Sequence, residues 1–254
     1  MLRNVLIMVV VLSFFNCKEK KNQVLTTLSA EDIIKKAIEV AGGNLFDHSQ
    51  IDFDFRDIHY TAIRDNGKFQ LQRHFKDSLS QIKDVLSNTG FERFSNGEKV
   101  QLADSTASKY SNSVNSVHYF SVLPYGLDGK AVHKEDLGIT DIKGKAYHKI
   151  KVTFSEDGGG EDFEDEYIYW IGKDSFTMDY LAYSFKENDG SQGFRFRQAY
   201  NERLISRLRF ADYDNYKPET SNIKFADMDE LFNANKLQLL SKIELKNIEV
   251  KALN

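Results

Sequence analysis

Ile51-Asp52-Phe53-Asp54-Phe55-Arg56 alternates apolar and polar side chains with a period of two. Side chains of an extended chain point to opposite faces in turn. Ile51, Phe53 and Phe55 therefore share one face and the charged residues the other, the pattern of a strand buried on one side. The phase then slips, and Ile58, Tyr60 and Ala62 take over the apolar register, which predicts a bulge near Arg56-Asp57. Asp65-Asn66-Gly67 reads as a hairpin turn, because Asn and Gly tolerate the positive φ it requires. Phe69, Leu71, Arg73 and Phe75 continue on the return strand.

Upstream the period is helical. Ile33, Ile34, Ala37, Ile38 and Ala41 fall on one face, Ser29 with Asp32 makes a capping box, and Gly42-Gly43 ends the element. Downstream, strands are expected over 81–86, 90–94 and 99–102. The Ser- and Asn-rich segment 105–123 follows, with Ala107, Tyr110, Val114, Val117, His118 and Phe120 at helical spacing. Strands resume over 147–154, 166–171, 178–186, 193–200 and 203–213, with Asn201-Glu202 as a turn. A helical turn over 227–232 and a long strand over 237–250 complete the chain. About ten antiparallel strands with an N-terminal helix predict a mainly β (α+β) fold, a strongly curved sheet or open half-barrel.

The first residues carry a different message. Arg3 precedes the apolar run Val5–Leu12, and Cys17, the one cysteine, follows. The run is about half the roughly 20 residues a bilayer span needs. Residues 1–16 are therefore read as a signal peptide, Cys17 as a lipidation site, 17–27 as a tether and 28–254 as a single β-rich domain. The expected location is the cell envelope, at the outer membrane, with the membrane itself as partner through the anchor. Loss of residues 1–16 removes one base, Arg3, and moves the net charge from −4 to −5. A mildly acidic chain without a basic block excludes nucleic acid as a partner. With Cys17 committed to lipid no disulfide is available, so stability must come from packing.

No catalytic signature is present. The six histidines (His48, His59, His74, His118, His133 and His148) lack metal-ligand spacing, no G-x-S-x-G elbow occurs, and no cofactor or metal motif is found. The acidic run from Glu156 to Glu166 reads as a solvated hairpin tip or a weak cation site. Arg195 and Arg197 flank Phe196, so both point to one face while Phe194 and Phe196 point to the other. Arg207 and Arg209 repeat the pattern, and a hairpin would join the four into a cationic stripe. That stripe suits an anion or lipid headgroup; alternatively its members pair with acids such as Glu164 and Glu166. Dense aromatics on alternating strands supply material for an apolar pocket. The candidate ligand-binding set is Tyr60, Arg73, His118, Tyr119, Trp170, Tyr183, Arg195 and Arg197.

Two resemblances add to this reading. The opening Ile33-Ile34-(x3)-Ile38-(x3)-Gly42-Gly43 followed by a long meander is similar to envelope lipoproteins of the LolA/LolB-like type. That resemblance implies a half-barrel with helices in its concave face and a cavity for acyl chains or another greasy ligand. The segments Lys109–Phe120, Leu123-Pro124-Tyr125-Gly126-Leu127 and Tyr180-Leu181-Ala182-Tyr183 resemble uncharacterised lipoproteins of Bacteroidota-type bacteria, a family of unknown function, over most of 28–218. The resulting expectation is non-catalytic binding of an apolar or amphipathic ligand. The alternatives are a scaffold module of an envelope complex and an uncharacterised enzyme.

Overall fold

The structure, a computed structural model, describes residues 28–158, 163–187, 189–220 and 222–253. The expected signal peptide, Cys17 and tether lie outside these residues.

Helix α1 (Ala30–Ala41) begins as its sequence requires. The Ser29 hydroxyl accepts from the Asp32 amide at 3.1 Å, and the Asp32 carboxylate accepts in return from the Ser29 amide at 3.3 Å. Its stripe of Ile33, Ile34, Ala37 and Ile38 is buried, and each isoleucine contributes about 2 kcal/mol of burial. Gly42 ends the helix at φ +132°. A Cβ there would sit 2.5 Å from Leu208 Cδ2 and 3.2 Å from the Arg207 carbonyl oxygen. Gly42→Ala is therefore expected to cost about 2 kcal/mol, read as a melting temperature about 5 °C lower.

Seven antiparallel strands make the first sheet, in the order β14-β1-β2-β3-β4-β5-β6. They are β1 (His48–Phe55), β2 (Ile58–Asp65), β3 (Lys68–Asp77), β4 (Ser80–Ser87), β5 (Gly90–Ser95), β6 (Glu98–Val100) and, from the far end of the chain, β14 (Leu245–Ala252). Helix α2 (Asp104–Ser121) leads to the second sheet, of order β13-β12-β11-β10-β9-β8-β7. Its strands are β7 (Val132–Ile142), β8 (Lys145–Phe154), β9 (Glu166–Gly172), β10 (Met178–Lys186), β11 (Gln192–Ile205), β12 (Leu208–Pro218) and β13 (Leu237–Ile243). Only Glu244 separates β13 from β14. One run of chain thus pairs with β12 through Ile243 and with β1 through Leu245, which joins the two sheets along a seam. Strands β6 and β7 at the far edges do not pair, so the curved sheets stay unclosed.

Four local expectations need correction. The phase slip at Arg56-Asp57 is a two-residue turn rather than a bulge: Phe55 pairs with Ile58, and Arg56 takes φ +56°. Asn201-Glu202 is a bulge inside β11 rather than a turn, because Asp212 accepts from Asn201 Nδ2 at 2.6 Å and Arg203 Nη2 at 2.8 Å and holds the strand on course. The real turn is Ser206-Arg207. Strand β7 was not expected, because Lys134, Glu135 and Asp136 on a sheet edge mask alternation. The long strand over 237–250 is divided at Glu244 between the two sheets.

The helices decide which faces are buried. Helix α1 packs with Tyr169, Leu181 and Tyr213 on the inner face of the second sheet. Helix α2 crosses β3, β4 and β5 of the first sheet, and Val114 joins Phe53, Tyr60 and Leu71 there. Helix α3 (Met228–Asn233) covers the outer face of the second sheet, where Met228 and Phe232 pack on Trp170 and Phe196. Lys149 holds α3 in place by donating to Asp229 at 2.7 Å, while Thr140 donates to the other carboxylate oxygen.

Candidate functional site

Between α2 and the inner face of the second sheet lies a hollow of about 920 Å³. Helix α2 contributes a stripe of small polar groups, Ser111, Asn112, Asn115 and Ser116, and then Tyr119 and Phe120. These positions recur at helical spacing on the side away from the first sheet. Opposite them stand Tyr167 of β9, Tyr183 and Phe185 of β10, and Arg195 and Arg197 of β11. The seam supplies an apolar floor, Ala211, Tyr213, Ile243 and Leu245, extended by Phe55 and Leu86 of the first sheet. The rings of Phe120, Tyr167 and Tyr183 form a connected cluster with centroids 5.3 to 6.4 Å apart. Half-buried Tyr119 and buried Tyr169 satisfy one another, hydroxyl to hydroxyl at 2.9 Å, and desolvation of the hydroxyls pushes both phenols upward in pKa.

The cations of the hollow differ in how they are compensated. Lys186, at the exposed mouth, pairs with Glu164 at 2.5 Å. Arg195 lies over Phe185 at 4.8 Å, donates to the Phe194 carbonyl and has Glu187 at 3.9 Å. Arg197 is 8 % exposed. It stacks on Phe120 at 4.0 Å and Tyr183 at 5.1 Å, and its Nη2 donates to the Tyr183 hydroxyl at 3.0 Å. No ion pair of Arg197 occurs among the described residues, and its buried Nε has no hydrogen-bond partner. A buried donor left unmade costs about 1–3 kcal/mol, more when it carries charge.

Of the expected ligand-binding residues, the structure thus brings Tyr119, Tyr183, Arg195 and Arg197 to one hollow. The other four lie elsewhere. Tyr60 is buried against Phe53 in the first sheet. Arg73 is tied to Asp84 under α2. Trp170 lies on the outer face of the second sheet, against Phe196. The four-arginine stripe does not form, because Arg207 sits in a turn and Arg209 pairs with Glu202. Glu164 and Glu166 take Lys186 and Lys151 rather than arginine. The Ser and Asn stripe of α2 was missed, although its spacing is visible in the sequence.

His118 is fully buried, edge-on to Phe53 and Tyr60, with Nε2 2.9 Å from the Gln72 carbonyl oxygen, to which it donates. Burial holds its imidazole down to about 3, against about 6.5 for an exposed histidine. The unfolded chain takes up a proton near pH 6.5 that the folded chain refuses until about pH 3. Stability from this group is therefore complete above pH 6.5 and falls as the pH drops through that window. At pH 4.5 the expected loss is about 3 kcal/mol, read as a lower urea midpoint. His118→Gln should remove most of this slope. His74 and His148, also lowered by burial, contribute in the same direction.

Fold and site together define a mainly antiparallel β protein whose unclosed, curved sheets and inner helices surround an aromatic-walled hollow. Within that class the chain belongs to the family of unknown function DUF6503, whose model matches residues 4–245. No curated protein matches it. Among solved structures it is similar to a LolA superfamily protein from Nitrosomonas europaea, with a TM-score of 0.48, 11% identity, and coverage of 90% of this chain and 94% of that one. A putative outer membrane lipoprotein-sorting protein domain from Vibrio parahaemolyticus gives 0.45, 8%, 88% and 92%. A DUF1329 family protein from Desulfovibrio piger gives 0.45, 8%, 87% and 91%.

Proposed function

We propose that this is a non-catalytic binding protein of the cell envelope, anchored at the outer membrane through lipidated Cys17, that takes an apolar or amphipathic ligand into the hollow. The observation that carries the reading is the hollow itself. Its volume falls in the usual range of small-molecule sites, and its walls set aromatic and aliphatic side chains against a polar helix stripe and a set of charged groups. Apolar walls of this kind gain free energy by exchanging water for hydrocarbon. Among the described residues the lining contains serines but neither histidine nor cysteine, so no serine there is paired with an imidazole base. The anchor is supported by the apolar run ahead of Cys17, and no helix among the described residues is long and apolar enough to cross a membrane.

The test uses the full chain carrying Cys17→Ser, so that no acyl group of its own can fill the hollow, purified without detergent. Saturable uptake of the neutral fluorophore N-phenylnaphthylamine and co-purified lipid in mass spectra are the expected results. Absence of both would overturn the binding reading. Radiolabelled palmitate should enter the unaltered chain and not the Cys17→Ser chain; equal labelling of the two would overturn the anchor.

A further inference from the structure

We propose that the ligand of the hollow carries one anionic end, a carboxylate or a phosphate, and that Arg197 is the residue that recognises it. The inference rests on the binding reading above and adds the ligand's charge. Along β11 the cross-strand pairs Lys186–Gln192, Tyr183–Arg195 and Leu181–Arg197 run from the mouth inward. The cations on that path are progressively less exposed, from Lys186 at 67 % to Arg195 at 22 % for their side chains. Lys186 and Arg195 each have a carboxylate beside them, Glu164 and Glu187, and among the described residues Arg197 has none.

Three other arginines with largely buried side chains are compensated. Arg73 and Arg93 share Asp84, and Arg209 has Glu202. Arg64 makes no ion pair among the described residues and also has an orphaned nitrogen, Nη1, but it stands near Asp47 and over Tyr125, outside this hollow. Arg197 is therefore a desolvated guanidinium with aromatic faces above it, an unmade Nε–H bond, and a place in the wall of a hollow. Ring contacts and one phenol bond neutralise no charge, whereas an anion entering the hollow would both neutralise the guanidinium and accept from it. Carboxylate and phosphate oxygens match its fork. Tyr183 holds the guanidinium in place for this. The apolar floor at Ala211, Ile243 and Leu245 then takes the hydrocarbon part. Asp165 also faces the hollow and opposes an anion near its own position, which favours the deeper site at Arg197.

The experiment compares chain-matched amphiphiles on the full Cys17→Ser protein: dodecanoate, dodecyl phosphate and dodecanol, each displacing N-phenylnaphthylamine. At least one anionic amphiphile should bind about tenfold or more tightly than dodecanol. Whichever anion wins separates a fatty-acid end from a phosphorylated one. In Arg197→Gln the anionic-to-neutral ratio should fall to about one, and Arg197→Lys should restore part of it. Equal binding of all three amphiphiles by the unaltered site, or a ratio that survives Arg197→Gln, would overturn the inference and leave the apolar reading standing. Failure of the neutral fluorophore to enter would instead overturn both. The wild-type comparison needs no variant, so a misfolded Arg197→Gln chain would not spare the proposal.

Discussion

Asp84→Ala is expected to lower the unfolding free energy by about 3–5 kcal/mol and the melting temperature by about 10 °C. The Asp84 carboxylate is 0 % exposed. It accepts from Arg73 Nε at 2.6 Å, Arg93 Nε at 2.6 Å and Arg93 Nη2 at 2.8 Å. Arg73 then donates to the Ser113 hydroxyl at 2.7 Å, and Arg93 lies 3.6 Å from the centre of the Tyr110 ring. One carboxylate therefore ties β3, β4 and β5 together and, through its two arginines, fastens α2 to the first sheet. Alanine would leave two guanidiniums in a dry interface with no counter-charge, the costly way to break a buried pair. Asp84→Asn keeps the shape and one acceptor and should cost about half as much. The exposed pair Lys186–Glu164 sets the contrast, since solvent screens it and Lys186→Ala should leave the urea midpoint nearly unchanged. Urea unfolding of the three variants checks the order. A loss below 1 kcal/mol for Asp84→Ala would mean that the trio does not hold α2. Because α2 is one wall of the hollow, fluorophore uptake by Asp84→Ala should weaken as well.

The parts of the fold that were legible in the sequence are those where one local rule acts alone. Ser29 and Asp32 cap α1 because capping is decided within four residues. The alternation of Ile51 and Phe53 places β1 because one of its faces is buried. The illegible parts depend on distant partners. The phase change after Phe55 has two readings, bulge or turn, and no glycine marks it; the pairing of Phe55 with Ile58 decides for the turn. At Asn201 the opposite error arises, because a left-handed Asn suits both a turn and a bulge, and Asp212 from the next strand decides. The division at Glu244 leaves no mark in periodicity, since residues on both sides of it are extended. For the site, strand parity separates inner from outer side chains. Tyr167 cannot share a face with Trp170, so including Trp170 in an inner pocket conflicts with Tyr167, which lines the hollow. Arg73 and His118 were indistinguishable from site residues by type alone. Their roles come from Asp84, eleven positions from Arg73, and from Gln72, forty-six positions from His118.

Ser116→Trp is expected to weaken binding of N-phenylnaphthylamine or dodecanoate by about fiftyfold while leaving the fold intact. Ser116 stands on the face of α2 that lines the hollow, and its hydroxyl makes one long bond, 3.4 Å, to the Ser113 carbonyl. Little is lost by removing that bond, and serine and tryptophan have similar helix propensity. The first sheet lies on the other side of α2, where Val114 and His118 are buried, so an indole at 116 projects into the hollow. Excluding about three methylenes of ligand removes about 2.4 kcal/mol of burial, which corresponds to the fiftyfold loss. Lys109→Trp adds the same ring to an exposed position of the same helix and should leave affinity unchanged. Melting temperatures of both variants within about 2 °C of the parent, which corresponds to less than 1 kcal/mol, would separate occlusion from unfolding. A folded Ser116→Trp chain that binds as the parent does would place the ligand outside the hollow, and the role assigned to Arg197 would fall with it. A graded series through Ser116→Val and Ser116→Phe sharpens the comparison. Occlusion predicts that affinity declines with side-chain volume, whereas a polar contact from the Ser116 hydroxyl predicts that valine alone produces the whole loss.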